Sequence, residues 1–460
     1  MCNEEKLSPV DRGNAVLVII FVLGVGSLLP WNFFIPASPY FNTRLSETSN
    51  STSAFHKYNY DNWMSLLSQL PQVLFTLLNS CFYQCVRERL RVVISLVLIL
   101  VLFVLTTALV QVPMHPDIFY IITLATICFI NMSSAVLQGS LLGLVSLFPA
   151  PYTTSFMSGQ GLAGVFASVT MLLSILSNAD DKSMALGYFI TPCVAVLVTL
   201  LCYLRLPHLV SAHITHVLIV SGVASPQSRP VMEIRLGDVF LQTFARFYLN
   251  QSSNNNLVMS KILFRDSDCN VKTLEAESVK TTDEAQRLPA CAVLKKIWLM
   301  ALCITFTFAI TLSVFPVITV RVQTVCVQNK AWARVFTCVC CFTLFNVLDL
   351  IGRSTPYHWP GKDSCLFPAL VVSRVALVPL LMMCNIDNSR QVLFRHDAFF
   401  VLLIALLSFS NGNLASLCMV YAPQLVHSKD AEMAGSLMSF FMALGLALGA
   451  AISFGLYSLL

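Results

Sequence analysis

A chain of 460 residues is long enough for two or three soluble domains, but 56 % of it is hydrophobic and only 11 % charged, which excludes an ordinary soluble protein. It reads as an all-α polytopic membrane protein. The 28 Lys and Arg against 23 Asp and Glu leave a formal charge of +5, and because the basic residues sit mostly in loops, membrane orientation explains them without a nucleic-acid partner. The 16 cysteines are scattered through apolar runs without paired CxxC units, which argues against a zinc or disulfide framework. Cys338, Cys340 and Cys341 come nearest to a cluster, and with no histidine beside them they read as small apolar packing groups.

Met1 to Arg12 is polar, and no small-residue cleavage site follows the next apolar run, so the first span is expected to stay. That span is predicted over about 13–35 and ends in L-L-P-W-N-F-F (Leu28 to Phe34), where Pro30 is expected to interrupt the hydrogen-bond ladder. Trp31 reads either as an interfacial anchor or as an aromatic wall for a ligand. Residues 36–61 form a polar loop with the sequon Asn50-Ser51-Thr52, a glycosylation site only if the loop faces outward. After a second helix at about 62–86, the link Arg87-Glu88-Arg89-Leu90-Arg91 carries three arginines, and short basic loops stay cytoplasmic. Both signals place the amino terminus inside.

A third helix is predicted at about 92–114. Ile118 to Ala179 then runs without a charge or a histidine, broken by Pro149-Ala150-Pro151, and reads as a hairpin of two helices. Within it, Gln138 is an amide that needs partners from a neighbouring helix or from a ligand. The glycines of S-G-Q-G-L-A-G (Ser158 to Gly164) suit close helix packing. A sixth helix at about 183–204 closes an amino-terminal half, 1–204. Residues 205–290, polar and mixed in charge, are expected to be a largely disordered cytoplasmic linker, with the sequon at Asn250 unused. The second half, 291–460, holds apolar runs at about 297–320, 333–355, 366–386, 398–426 and 433–460. Six crossings and five make about eleven, which puts the carboxyl terminus outside.

The eighth crossing carries the chemistry. Val335 to Leu348 is uncharged, but its 14 residues reach only about 21 Å, against roughly 30 Å of hydrocarbon, so the helix must continue through Asp349. A carboxylate at that depth costs about 2.5–3.5 kcal/mol and must face protein or a watery cavity. Arg353 follows four residues later on the same face. Together they suit a diol, since a carboxylate accepts from hydroxyls and a guanidinium donates to their oxygens. An intrahelical ion pair that only lowers the insertion cost is the other reading, and the residues alone leave both open. Arg374 is a second intramembrane cation, read as a structural pair or a ligand of helix-end carbonyls.

No phosphate-binding loop, nucleophile elbow or H-E-x-x-H pair is present, so neither an enzyme nor a cofactor is expected. Two helical blocks about a linker suit a carrier that rocks around a midplane site. A proton-coupled carrier and an ion channel are the alternatives.

The motifs L-L-P-W-N-F, A-V-L-Q-G-S (Ala135 to Ser140), S-G-Q-G-L-A-G, F-N-V-L-D-L-I-G-R-S (Phe345 to Ser354), W-P-G-K-D-S (Trp359 to Ser364) and F-S-N-G (Phe409 to Gly412) resemble those of the equilibrative nucleoside transporters. L-L-S-Q-L-P (Leu66 to Pro71) and A-L-G-Y-F-I-T-P-C (Ala185 to Cys193) resemble the inhibitor-insensitive plasma-membrane branch. The resemblance implies a major-facilitator-like 6+5 fold and facilitated, bidirectional diffusion of nucleosides such as uridine, adenosine and inosine, often with nucleobases. It implies that Asp349 and Arg353 hold the ribose hydroxyls and that Gln138 bonds the base. Trp31 and Leu28 would line the base pocket, with Ile35, Gln69 and Asn346 nearby, while Arg91 and Glu432 would join a cytoplasmic gate. The chain departs from the family pattern where Leu350 replaces a Trp and Asn413 an aromatic, and where Gln69 and Gln72 make the second helix polar. Those glutamines are expected to favour smaller or more polar bases and to weaken bulky aryl inhibitors.

Overall fold

The computed structural model describes residues 14–47, 60–82, 86–112, 114–176, 181–220, 289–326, 328, 330–355, 366–386 and 392–457. Among them run eleven helices: α1 Ala15–Glu47, α2 Tyr60–Phe82, α3 Glu88–Gln111, α4 Pro116–Val145, α5 Ala150–Leu176, α6 Asp181–Val220, α7 Ala290–Val314, α8, α9, α10 Asp397–Tyr421 and α11 Ala431–Tyr457. Helix α8 is composite, with a π turn at Thr337–Thr343 between Lys330–Phe336 and Leu344–Ser354. Helix α9 joins Leu366–Ser373 to Leu377–Met382 through a 3-10 turn at Arg374–Ala376.

Nine of the described helical segments are long and apolar enough to cross a bilayer. The other two, α2 and α9, are exceptions for physical reasons. On α2, Ser68, Gln69, Gln72, Thr76, Asn79 and Ser80 form a buried stripe at helical spacing, while Leu70, Leu74, Leu77 and Leu78 point outward. Polar inside and apolar outside is the inverse of a soluble amphipathic helix and suits a lipid-facing wall around a polar interior. Helix α9 is short and carries the buried Arg374. The exposed Val97, Leu98, Val101, Val104 and Leu105 of α3 and Leu197, Val198 and Leu201 of α6 continue the apolar outer surface, more than a soluble monomer would expose.

The first six helices pack on one another, α1 against α5 and α6, and α4 against α2 and α3. In the remainder α7 packs on α11 and α8 on α10. The two blocks meet where α5 touches α8 and where α2 and α4 touch α11. Glycine permits the tightest of these approaches: a Cβ on Gly412 of α10 would strike the Asp349 carbonyl of α8. Phe33, Phe34, Phe41, Phe103 and Phe189 fill the first block, and Phe336, Phe345 and Phe400 the second.

Two helices run longer than the sequence suggests. Helix α1 continues past Pro30, where the ladder was expected to be interrupted, and past Ile35 to Glu47, where a loop from residue 36 was expected. Its 33 residues span about 50 Å, so it projects beyond the roughly 30 Å hydrocarbon. A proline is tolerated inside a membrane helix because packed neighbours can satisfy the backbone group it frees. Helix α6 likewise passes Leu204 and Pro207 to reach Val220, the first part of the expected linker. Asn50, Asn250, Trp359 to Ser364, the side chain of Ile35 and the linker from 221 to 288 lie outside the described residues.

Candidate functional site

The π turn of α8 inserts an extra residue per turn, and the Thr343 hydroxyl donates to the carbonyl of Cys338, five residues back, at 2.9 Å. The helix after it is sharply two-faced, with Phe345, Asp349, Gly352 and Arg353 buried and Ile351 exposed. Arg353 Nε donates to Asp349 Oδ2 at 2.6 Å, with side-chain exposures of 5 % and 8 %, so the pair is out of bulk solvent.

Each end of the pair is held by another helix. Arg353 Nη1 donates to Gln160 Oε1 of α5 at 3.1 Å, and Gln160 Nε2 donates to Ser27 Oγ of α1 at 3.2 Å. Asn411 Nδ2 of α10 donates to Asp349 Oδ1 at 2.7 Å, and Thr311 Oγ1 of α7 donates to Asn411 Oδ1 at 2.9 Å. A polar chain thus crosses from α1 to α10 through apolar surroundings, where unmade hydrogen bonds are costly. Both carboxylate oxygens retain a further lone pair for a ligand's hydroxyl.

Beside this chain lies a cavity with about 940 Å³ of empty volume, counting space open to solvent. Leu28, Trp31, Asn346, Asp349 and Arg353 line it, and so do Gln160 and Asn411. Phe308, Phe315, Phe342 and Phe345 form an aromatic wall, within which Phe315 and Phe345 stack with centroids 3.9 Å apart and planes at 11°. Asn346 donates to the Phe342 carbonyl at 2.9 Å and leans on Gly164, where a Cβ would collide with its amide oxygen. The site therefore joins a charged pair, amides and flat apolar walls, a set suited to a ligand with hydroxyls at one end and a planar ring at the other.

Gln69 and Gln138 lie elsewhere. They are buried on α2 and α4, away from the cavity lining, where Gln72 Nε2 donates to Gln138 Oε1 at 3.4 Å. The Gln69 amide and Gln138 Nε2 have no partner among the described residues. Residue type alone did not separate Gln138 from Gln160, since each is an amide in one apolar hairpin, and helix rotation decides which meets the cavity. Arg374 also stands outside the lining and donates to the Thr307 and Leu407 carbonyls at 2.9 and 3.1 Å, which lie inside α7 and α10 rather than at the helix ends expected for it. Gln160, Thr311 and Asn411 were not singled out from the sequence. A polar side chain inside an apolar helix was the available signal.

A second constellation joins the blocks at the ends of α2, α3, α4 and α11. Arg91 Nη2 lies 3.7 Å from Glu432 Oε1, and Arg91 Nη1 donates to Asn79 Oδ1 at 2.8 Å. Asn79 Nδ2 donates to Ser436 Oγ at 3.3 Å, and Ser80 Oγ to the Ser436 carbonyl at 3.0 Å. Ser140 Oγ donates to Asn79 Oδ1 at 3.2 Å, which brings α4 into the same knot.

The structure is similar to that of the major facilitator superfamily proton:xylose symporter XylE, with a TM-score of 0.55, 11 % identity, and coverage of 97 % of this chain and 88 % of that one. At that identity the likeness shows the fold alone. A model of the nucleoside transporter family matches residues 124–457. Equilibrative nucleoside transporter 2 of Homo sapiens is 46 % identical, over 97 % of this chain and 98 % of its own length. Equilibrative nucleoside transporter 1 of Homo sapiens is 39 % identical, over 97 % of each. A family match over most of the chain and relatives this similar along nearly all of it establish that the protein belongs to the equilibrative nucleoside transporters, carriers rather than enzymes.

Proposed function

We propose that the chain is a facilitative, bidirectional uniporter of purine and pyrimidine nucleosides, with uridine, adenosine and inosine as substrates and nucleobases as further ones. The observation that carries this reading is the Asp349–Arg353 pair on the wall of an aromatic-lined cavity between the blocks. The ribose hydroxyls bond the pair, and the base lies against Trp31, Leu28 and the phenylalanines, with Gln160 and Asn346 in reach of its polar edge. Two hydrogen bonds to charged groups at about 1.5–3 kcal/mol each, plus roughly 1 kcal/mol from an aromatic contact, give about 4–7 kcal/mol. That corresponds to a Kd between about micromolar and millimolar, tight enough to select a nucleoside and weak enough to release it.

The Arg91, Asn79, Glu432 and Ser436 contacts act as the gate on the linker side, closed here and broken when the blocks rock apart. The protein sits in the plasma membrane with its amino terminus and linker cytoplasmic, its carboxyl terminus outside and Asn50 glycosylated. The reading is tested by tracer uridine uptake in nucleoside-transport-deficient cells, with and without sodium or proton gradients. Saturable uptake indifferent to both gradients supports uniport. Uptake that climbs steeply with external acid would replace it by proton coupling, and single-channel current without nucleoside by a channel.

A further inference from the structure

Arg374 does not touch the cavity, yet it is 3 % exposed inside a membrane helix, where a cation is expensive. The geometry points to Arg374 as a positioning residue that sets the orientation of Asp349 for the substrate's ribose hydroxyls, acting through Thr311 and Asn411. This rests on the nucleoside-uniporter reading and adds a specificity determinant to it.

Arg374 donates from Nη2 to Thr311 Oγ1 at 2.7 Å, while Nη1 and Nη2 also hold the carbonyls of Thr307 and Leu407. A guanidinium can only donate, so Thr311 Oγ1 is the acceptor and its own proton must point elsewhere. Asn411 Oδ1 and the Thr307 carbonyl, each 2.9 Å away, compete for that one proton, and because the carbonyl already accepts from Arg374, the proton is left to Asn411. A hydroxyl donating to Asn411 holds the amide with its oxygen toward α7 and its nitrogen toward Asp349 Oδ1, the 2.7 Å contact observed. Turned the other way, the amide would set its oxygen against the carboxylate. Arg374 thus directs one proton, which directs one amide, which fixes the oxygen of Asp349 that Arg353 does not hold.

The shape of α9 fits this role. The helix narrows to a 3-10 turn at Arg374–Ala376, and the planar fork reaches α7 and α10 together. A lysine at this position would place a point charge where several divergent bonds are needed.

The test compares uptake of uridine and of 2′,3′-dideoxyuridine, which lacks the hydroxyls at issue, at matched surface expression. Arg374→Met removes a buried cation along with its carbonyl contacts and can fail to reach the surface, so Thr311→Val is the deciding variant. It breaks the relay while leaving the Thr307 and Leu407 carbonyls to Arg374. The expected result is a rise in uridine KM on the order of fivefold, as for one lost hydrogen bond, with dideoxyuridine uptake unchanged and Thr311→Ser behaving as the parent. Equal loss for both substrates would show a merely structural role, and no change in either would show that no relay operates; both overturn the inference. If the parent takes up no uridine, the uniporter reading fails and this inference with it. If the parent transports but Thr311→Val does not discriminate, only this inference fails.

Discussion

The Asp349–Arg353 centre and the Arg91–Glu432 contact each pair a carboxylate with an arginine, but their geometry differs, and the proposed uniporter gives them opposite tasks. At the centre the two groups lie 2.6 Å apart on one helix, with side chains 5 % and 8 % exposed. At the linker side they come from α3 and α11, 3.7 Å apart, with side chains 9 % and 22 % exposed. An ion pair within one helix survives a movement between blocks, whereas one between blocks must break in it. The longer separation and the partial exposure of Glu432 make this contact easier to break than the central pair. The neutral bonds from Asn79 and Ser80 to Ser436 have the same character, individually modest and replaceable by water. Only one of the bonds described at the pair, Arg353 to Gln160, joins it to the first block.

The most severe change wedges the support of the centre. Gly412→Val would drive a branched side chain into the Asp349 backbone, with no room on either helix. Overpacking costs about 1–3 kcal/mol or more, so surface expression, read by biotinylation, falls strongly and uptake falls with it. Normal expression and normal uptake would mean that α8 and α10 do not approach as described.

A milder change addresses the other region. Glu432→Gln keeps the shape but removes the charge facing Arg91. Loss of roughly 0.5–1 kcal/mol shifts the balance between closed and open linker sides by about twofold to fivefold. The measurement is the rate at which Ser140→Cys, placed beside Asn79, reacts with a polar thiol reagent in membranes open on both sides. Faster labelling with Glu432→Gln supports a gate, and an unchanged rate removes the pair from it.

The smallest effect belongs to Asn413, whose amide meets the Gly352 carbonyl only at 3.4 Å. A typical hydrogen bond contributes about 1 kcal/mol, or about fivefold, and one this long is weaker, so Asn413→Ala should leave uridine uptake within about twofold of the parent. A tenfold loss would give Asn413 a place at the site that its geometry does not.

Much of the architecture was legible because the bilayer constrains it. Uncharged runs, basic short loops and the length shortfall before Asp349 point to about eleven crossings and to a helix continuing through the acid, and eleven helices run among the described residues. The end of α1 was misleading: with Pro30 interrupting the ladder the span was expected to close near residue 35, but α1, packed against α5 and α6, continues to Glu47. Polar α2 was legible as a helix but not as a buried stripe, because which face meets α4 and α11 depends on tertiary rotation. The same limit hid Gln160 and Asn411. An amide in an apolar helix announces a need for partners without naming them, and Gln138 and Gln160 carried equal claims until the helices were placed. Arg374 was legible as a buried cation, and its reach to Thr311 was not, because that contact joins residues 63 positions apart.

The most direct test of the account is uridine uptake by Arg353→Ala at matched surface expression. Removing the guanidinium leaves Asp349 buried without its ion-pair partner and takes away a donor to the ribose, so the account predicts saturable uptake in the parent and its near-complete loss in the variant. Uptake that survives Arg353→Ala with its KM unchanged would contradict the placement of the substrate at the central pair.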